Sequence, residues 1–156
     1  MKEIVLIEPK TKRGHVYSMV RMPRLGLPLL GAQLKAEGYK VSIYTASPET
    51  LPWNKILEAD LVGVSTTTST SFDAYRIASH LRANNIPVVI GGIHATYLPD
   101  EALHYADYVV RGEADYTFLP LVRAIKEGQL PRDIPGVSYW DNGVPVHNPA
   151  QDCWVE

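Results

Sequence analysis

Pro87-Val88-Val89-Ile90 runs straight into Gly91-Gly92-Ile93-His94, and this junction says more about chemistry than any other stretch of the chain. Apolar, mostly β-branched residues read as a buried strand. Two glycines at its tip let the backbone turn sharply and let another group come into contact with the main chain. Two more polar clusters follow apolar runs in the same way. Leu61-Val62-Gly63-Val64 ends in Ser65-Thr66-Thr67-Thr68-Ser69-Thr70-Ser71, and Asp107-Tyr108-Val109-Val110 ends in Arg111-Gly112-Glu113. Helix capping explains Thr70 or Ser71 but not the hydroxyls before them. With these strands side by side, hydroxyls, glycines and an acid converge at adjacent tips. They would line a polar-mouthed slot for a long, flat group threaded edge-on into a sheet.

The elements that must position those tips alternate along the chain. Ile4 to Ile7 reads as a first buried strand. Pro28 suits the first turn of a helix on which Leu27, Leu30 and Leu34 share a face, and Gly38 stops it. Val41-Ser42-Ile43-Tyr44 alternates as a more exposed second strand, and Trp53 to Leu57 is at most a helical turn. Thr70 with Asp73 fits a capping box ahead of Ala74, Ile77, Ala78 and Leu81. Pro99 opens another helix. Phe118, Leu121, Val122 and Ile125 mark the last one, in which Pro120 is tolerable only if Thr117 caps the helix. Five β-α units predict an α/β, flavodoxin-like (Rossmann-like) three-layer sandwich with a five-stranded parallel sheet of order 2-1-3-4-5. After Pro131 a β-hairpin on Asn142-Gly143 is expected. The expected partition is an α/β domain over 1–130, a hairpin extension over 131–147, and the start of a linker over 148–156.

Composition narrows the function. The 156 residues, 46% hydrophobic and 21% charged, suit one soluble domain, and a net charge of -2 without a basic block argues against nucleic acid. No run reaches membrane-spanning length. A single cysteine, Cys153, excludes an internal disulfide and a self-contained multi-cysteine metal site, and a cytoplasmic location is the default expectation. The loop after the first strand, Glu8-Pro9-Lys10-Thr11-Lys12-Arg13-Gly14, lacks the Gly-x-Gly-x-x-Gly of a dinucleotide fold. Ser65 stands where a phosphorylatable receiver domain needs a carboxylate. The hydroxyl run follows the third strand, whereas a flavodoxin's phosphate loop follows the first.

Gly91-Gly92-Ile93-His94-Ala95-Thr96-Tyr97-Leu98-Pro99-Asp100-Glu101, then Asp107-Tyr108-Val109-Val110-Arg111-Gly112-Glu113-Ala114-Asp115, resembles the N-terminal cobalamin-binding domain of B12-dependent radical SAM enzymes. Pro23-Arg24-Leu25-Gly26-Leu27-Pro28-Leu29-Leu30, Glu37-Gly38-Tyr39-Lys40-Val41 and the hydroxyl run at Ser65 resemble the same family, so the likeness spans Ile4 to Tyr139. One departure is Ala114-Asp115, where the family often has a second Gly-Glu.

The resemblance implies a corrin lying across the C-terminal edge of the sheet with its nucleotide tail in the slot. Ser65, Thr66 and Thr67 would contact the tail, Gly91, Gly92 and Ile93 would pack on it, and Gly112 and Glu113 would close the far wall. The loop from Glu8 to Arg24 would cover the corrin's lower face. His94 is open between a ligand contact and a structural hydrogen bond. Gly92 is expected to reject side chains because of the bound tail. The loop carries Glu8, Lys10 and Gly14 where the Asp-x-His-x-x-Gly of other cobalamin proteins is sought, and a lysine ammonium has no lone pair for cobalt. Binding without a protein ligand to the metal is expected, with His15 the competing candidate.

Radical SAM chemistry needs three clustered cysteines, which Cys153 alone cannot provide. The [4Fe-4S] cluster and S-adenosylmethionine therefore belong to a downstream radical SAM domain in cis, and this chain by itself is expected to be non-catalytic. The complete enzyme would transfer methyl groups or rearrange substrates by radicals. A free-standing cobalamin carrier, and a flavodoxin-like nucleotide-sensing or partner-binding domain without cobalamin, stay open as alternatives.

Overall fold

Strands β1 (Glu3–Pro9), β3 (Leu61–Ser65) and β4 (Val88–Gly91) are apolar on both sides because both of their faces are covered. The computed structural model describes residues 1–10 and 25–150. Helix α1 (Gly26–Ala36) leads to β2 (Lys40–Ala46), whose burial alternates as befits the edge of the sheet. A single turn, α2 (Trp53–Ile56), precedes β3, and α3 (Ser71–Ala83) precedes β4. Two short helices, α4 (Ile93–Tyr97) and α5 (Pro99–Leu103), connect β4 to β5 (Tyr108–Val110). Helix α6 (Phe118–Lys126) has Thr117 as its N-cap residue, which puts Pro120 in the first turn, as its missing N–H requires.

The five parallel strands take the expected order 2-1-3-4-5, but the sheet does not end there. The hairpin of β6 (Val137–Asp141) and β7 (Val144–His147) pairs antiparallel along β5, giving seven strands in the order β2-β1-β3-β4-β5-β6-β7. The hairpin is therefore part of the sheet, where the sequence suggested an extension. The cause is burial: β5 leaves an open edge, and Val137 and Tyr139 cover it while entering the core. Asn142 and Gly143, both with positive φ, make the tight turn. Asn148, expected to begin a linker, is buried and donates from Nδ2 to the carbonyls of Pro131 and Ile134. Cys153 lies outside the described residues.

A second correction concerns the cap of α3. Thr70 does not cap it through its side chain, and Asp73 pairs with Arg76. The reciprocal box forms one turn earlier: Thr67 N–H donates to Thr70 Oγ1, and the two hydroxyls are 3.1 Å apart. The extra hydroxyls let the chain make a short 3-10 turn over Thr68–Thr70 before the helix begins.

Register divides the core into two layers. Val5, Ile7, Val62, Val64, Val88 and Ile90 pack with α3 and α5. On the opposite face Leu6 pairs with Gly63, and Gly63 with Val89, in one row across β1, β3 and β4. The next row on that face is Glu8, Ser65, Gly91 and Val110, since side chains alternate along a strand. Helices α1 and α6 cover this second face with Leu30, Leu34, Phe118, Leu121 and Val122.

Candidate functional site

The two rows under α1 and α6 have their smallest residues, Gly63, Ser65 and Gly91, in the middle of the sheet. A cleft of about 250 Å³ opens there at the strand tips. Its floor is Leu6, Gly63 and Val89, and its walls include Leu27 and Leu30 of α1 and Phe118 of α6. The mouth carries Glu8, Ser65, Gly91, Gly92, Gly112, Glu113 and Asp115. The volume falls below the roughly 300–1,000 Å³ of pockets that enclose a whole drug-sized ligand, so the cleft suits one arm of a larger molecule.

Gly63 marks the close approach of the sheet and α6: a Cβ there would sit 2.9 Å from Leu6 Cδ2 and 3.3 Å from Phe118 Cζ, so these side chains already take the room over it. The sequence signal was available, because a glycine inside an apolar strand marks a close approach, yet it was not among the expected site residues. Ser65 is at the mouth, and its hydroxyl has no partner among the described residues. Glu113 and Asp115 stand on the far side, also without a described partner, while Gly91 lies between with ordinary room beside Val110.

The other expected site residues take different parts. Thr66 is buried; its N–H and its hydroxyl both donate to the Gly91 carbonyl, at 2.7 and 3.0 Å, which ties the β3 tip to the β4 tip. Thr67 is engaged in the box with Thr70. Gly92 has φ +98°, and a Cβ there would lie 2.3 Å from the Thr66 carbonyl oxygen. Its need for glycine thus comes from the protein's own backbone, a correction to the expectation that a bound tail imposes it. Thr96 was not foreseen. It donates to the Gly92 carbonyl and accepts from the Gly112 N–H, joining the β4 and β5 tips. Ile93 is 56% exposed at the start of α4.

His94 belongs to the opposite layer. Its Nε2 lies 3.1 Å from Glu101 Oε1 and its Nδ1 3.4 Å from Thr68 Oγ1, and Tyr75 donates to the same Glu101 oxygen at 2.9 Å. The His94 bond, then the Tyr75 bond, hold the Glu101 carboxyl below the usual carboxylate range. Burial first, and Glu101 second, push the Tyr75 phenol up. This is a structural hydrogen-bond chain tying α3, α4 and α5 together. A wider groove of about 900 Å³ lies on this layer beside Trp53, Phe72, Tyr75 and Tyr105, but no strand-tip glycine or hydroxyl reaches it. No cluster of three metal-ligating side chains exists among the described residues, and no described helix is long and apolar enough to cross a membrane.

A doubly wound α/β sheet with a slot at the carboxyl ends of its strands defines a class of ligand-binding domain. Within that class the particular family is clear: the model of the B12 binding domain matches residues 18–122, and the chain belongs to that family. The uncharacterized methyltransferase PH0819 of Pyrococcus horikoshii is 35% identical over 140 residues, covering 83% of this chain and 30% of the relative. The radical S-adenosylmethionine methyltransferase TsrM of Kitasatospora setae, solved with cobalamin and a [4Fe-4S] cluster bound, superposes with a TM-score of 0.74 at 23% identity, covering all of this chain and 30% of TsrM. The cobalamin-dependent S-adenosylmethionine radical enzyme OxsB, with aqua-cobalamin and S-adenosylmethionine bound, superposes with a TM-score of 0.72 at 19% identity, over 97% of this chain and 22% of OxsB. The chain spans about a third or less of the length of these relatives.

Proposed function

We propose that this chain is the cobalamin-binding module of a B12-dependent radical SAM enzyme, holding the cofactor with its nucleotide tail in the slot between β1, β3, β4 and the helices α1 and α6. The observation that carries the reading is the cradle itself: a cleft of about 250 Å³ at the strand tips, lined by Gly63, Ser65 and Gly91 between the sheet and the helices α1 and α6. The residues fit the group. Ser65 offers a free hydroxyl to the tail, Gly91 lets it lie against the backbone, and Gly112 with Glu113 bounds it on the far side. Carboxylates at the mouth accept hydrogen bonds from amide N–H groups such as those on the corrin rim. Thr66 ties the β3 tip to the β4 tip from behind, and Thr67 shapes the turn that follows β3.

When bound, the cofactor supplies a cobalt centre able to carry a methyl group. This chain's part is to bind and orient it at the edge of the sheet. Methyl transfer or radical rearrangement, a [4Fe-4S] cluster and S-adenosylmethionine belong to a radical SAM domain downstream in cis. A cytoplasmic setting accords with the absence of any possible internal disulfide.

On this reading none of the described histidines would hold the cofactor's metal. Of the histidines, His80, His104 and His147 join His94 away from the slot, and His15 lies outside the described residues. Electron paramagnetic resonance of the Co(II) form is expected to lack the three-line splitting of an axial nitrogen. A splitting that disappears in His15→Ala makes His15 the ligand and overturns this point.

Incubation with hydroxocobalamin followed by desalting tests the main reading. The protein peak is expected to retain the corrin absorption band. Retention of flavin and not of cobalamin returns the chain to the nucleotide-sensing class.

A further inference from the structure

The ladder between β4 and β5 stops short of the slot. Its last pair is Ile90 with Val109, while Gly91 and Val110 end the two strands. Past that point β5 keeps a partner on the hairpin side, where the Arg111 N–H donates to the Gly136 carbonyl. On the β4 side the link is a side chain. The Thr96 hydroxyl donates to the Gly92 carbonyl at 2.9 Å, and its oxygen accepts the Gly112 N–H at 2.9 Å. The two bonds differ in weight. The Gly92 carbonyl also takes the Thr96 N–H, at 3.0 Å, so it stays satisfied without the hydroxyl. The Gly112 N–H has no other partner among the described residues. Gly112 has φ +72° and open space around it, so it acts as a hinge unless its N–H is held. The next fixed point is Ala114, whose carbonyl accepts from the Thr117 and Phe118 N–H groups where α6 begins. Glu113 stands between these anchors and Asp115 just after them, both at the mouth of the slot.

Resting on the cobalamin reading above, we propose that Thr96 is a positioning residue for the cofactor. Its hydroxyl stands in for the missing rung between β4 and β5 and holds the wall of residues 112–115 in place before the cofactor arrives. Thr96 does not line the slot; it acts through Gly112. A wall left free in the empty protein must be ordered on binding, and that ordering is subtracted from affinity. The hydroxyl is therefore worth more to binding than to folding. Gly112 is exposed, so water replaces the lost bond at little cost to stability. Affinity instead falls by about 3- to 10-fold, the worth of one net hydrogen bond. Serine keeps both the donor and the acceptor, whereas valine keeps the shape and loses both.

The test joins three measurements on the 156-residue chain: a spectroscopic titration with hydroxocobalamin, a thermal melt, and amide exchange at Gly112 followed by NMR without cofactor. In Thr96→Val the Gly112 amide should exchange several-fold faster and the melt should stay close to wild type. Its cobalamin affinity should fall by about 3- to 10-fold. Thr96→Ser should restore the exchange rate and the affinity together. Faster exchange with unchanged affinity overturns the proposal, because the wall is then loose without consequence for binding. A Thr96→Val melt far below wild type also overturns it, since the hydroxyl is then a requirement of the fold. Unchanged exchange in Thr96→Val, or an equal loss of affinity in Thr96→Ser and Thr96→Val, removes the hydroxyl as the cause. If the wild type itself takes up no cobalamin, the cobalamin reading falls and this role with it. Equal binding by wild type and Thr96→Val sinks this role alone and leaves that reading standing.

Discussion

At the scale of single residues, two adjacent glycines do different work. Gly92 is held at φ +98° against the Thr66 backbone, so Gly92→Ala strains the fold whether or not a ligand is present. The φ alone costs about 1–3 kcal/mol, and moving Thr66 costs more. A thermal melt of the apo protein is expected to drop sharply. Gly91→Ala meets its nearest neighbour, Val110 O, at 3.6 Å, so its melt should stay close to wild type while cobalamin affinity falls. The neighbouring hydroxyls divide in the same way. Thr66→Val removes the donor to Gly91 O and is expected to lose about 0.5–1.5 kcal/mol of stability. Ser65→Ala has no protein bond to lose; its melt should hold and its cobalamin affinity weaken by a factor of about 2–10.

At the scale of elements, α3, α4 and α5 are clamped by Tyr75, Glu101, His94 and Thr68. Glu101's folded carboxyl titrates below its unfolded value, so its contribution is complete at neutral pH and is lost as pH falls through the folded pKa. Glu101→Gln should remove that share of the acid dependence, and stability against pH, followed by denaturant melts, is expected to be flatter for the variant below the usual carboxylate range. The same network explains a limit of sequence reading. His94 two residues after a Gly-Gly tip is compatible with a ligand contact, and only the turn of α4 sends it to the other layer, where Glu101 waits on α5.

For the whole molecule, the decisive feature is that the hairpin belongs to the sheet. A chain ending at residue 130 keeps every β-α unit but exposes the β5 edge and loses Val137, which is fully buried. Burial of such a side chain contributes about 1.5–3 kcal/mol. The shortened chain is expected to aggregate on size exclusion and to melt well below the 156-residue protein. A monomeric, equally stable 1–130 fragment would restore the hairpin to the role of an appendage.

The order of the five parallel strands, the hairpin turn and the place of the slot follow from the sequence, because each rests on local signals: β-branched runs, helix starts and stops, Asn142-Gly143, glycines and hydroxyls at strand tips. The family was legible on the same residues. What only the tertiary structure decided is which face each tip residue serves. Register, set by pairing between strands far apart in sequence, puts Gly63 and Ser65 on the face under α1 and α6. It turns Thr66 into a tie between β3 and β4, and the short helix after Gly92 carries His94 away from the slot. A one-residue step along a strand reverses the face on which a side chain stands, and no local pattern in a segment buried on both sides records that choice.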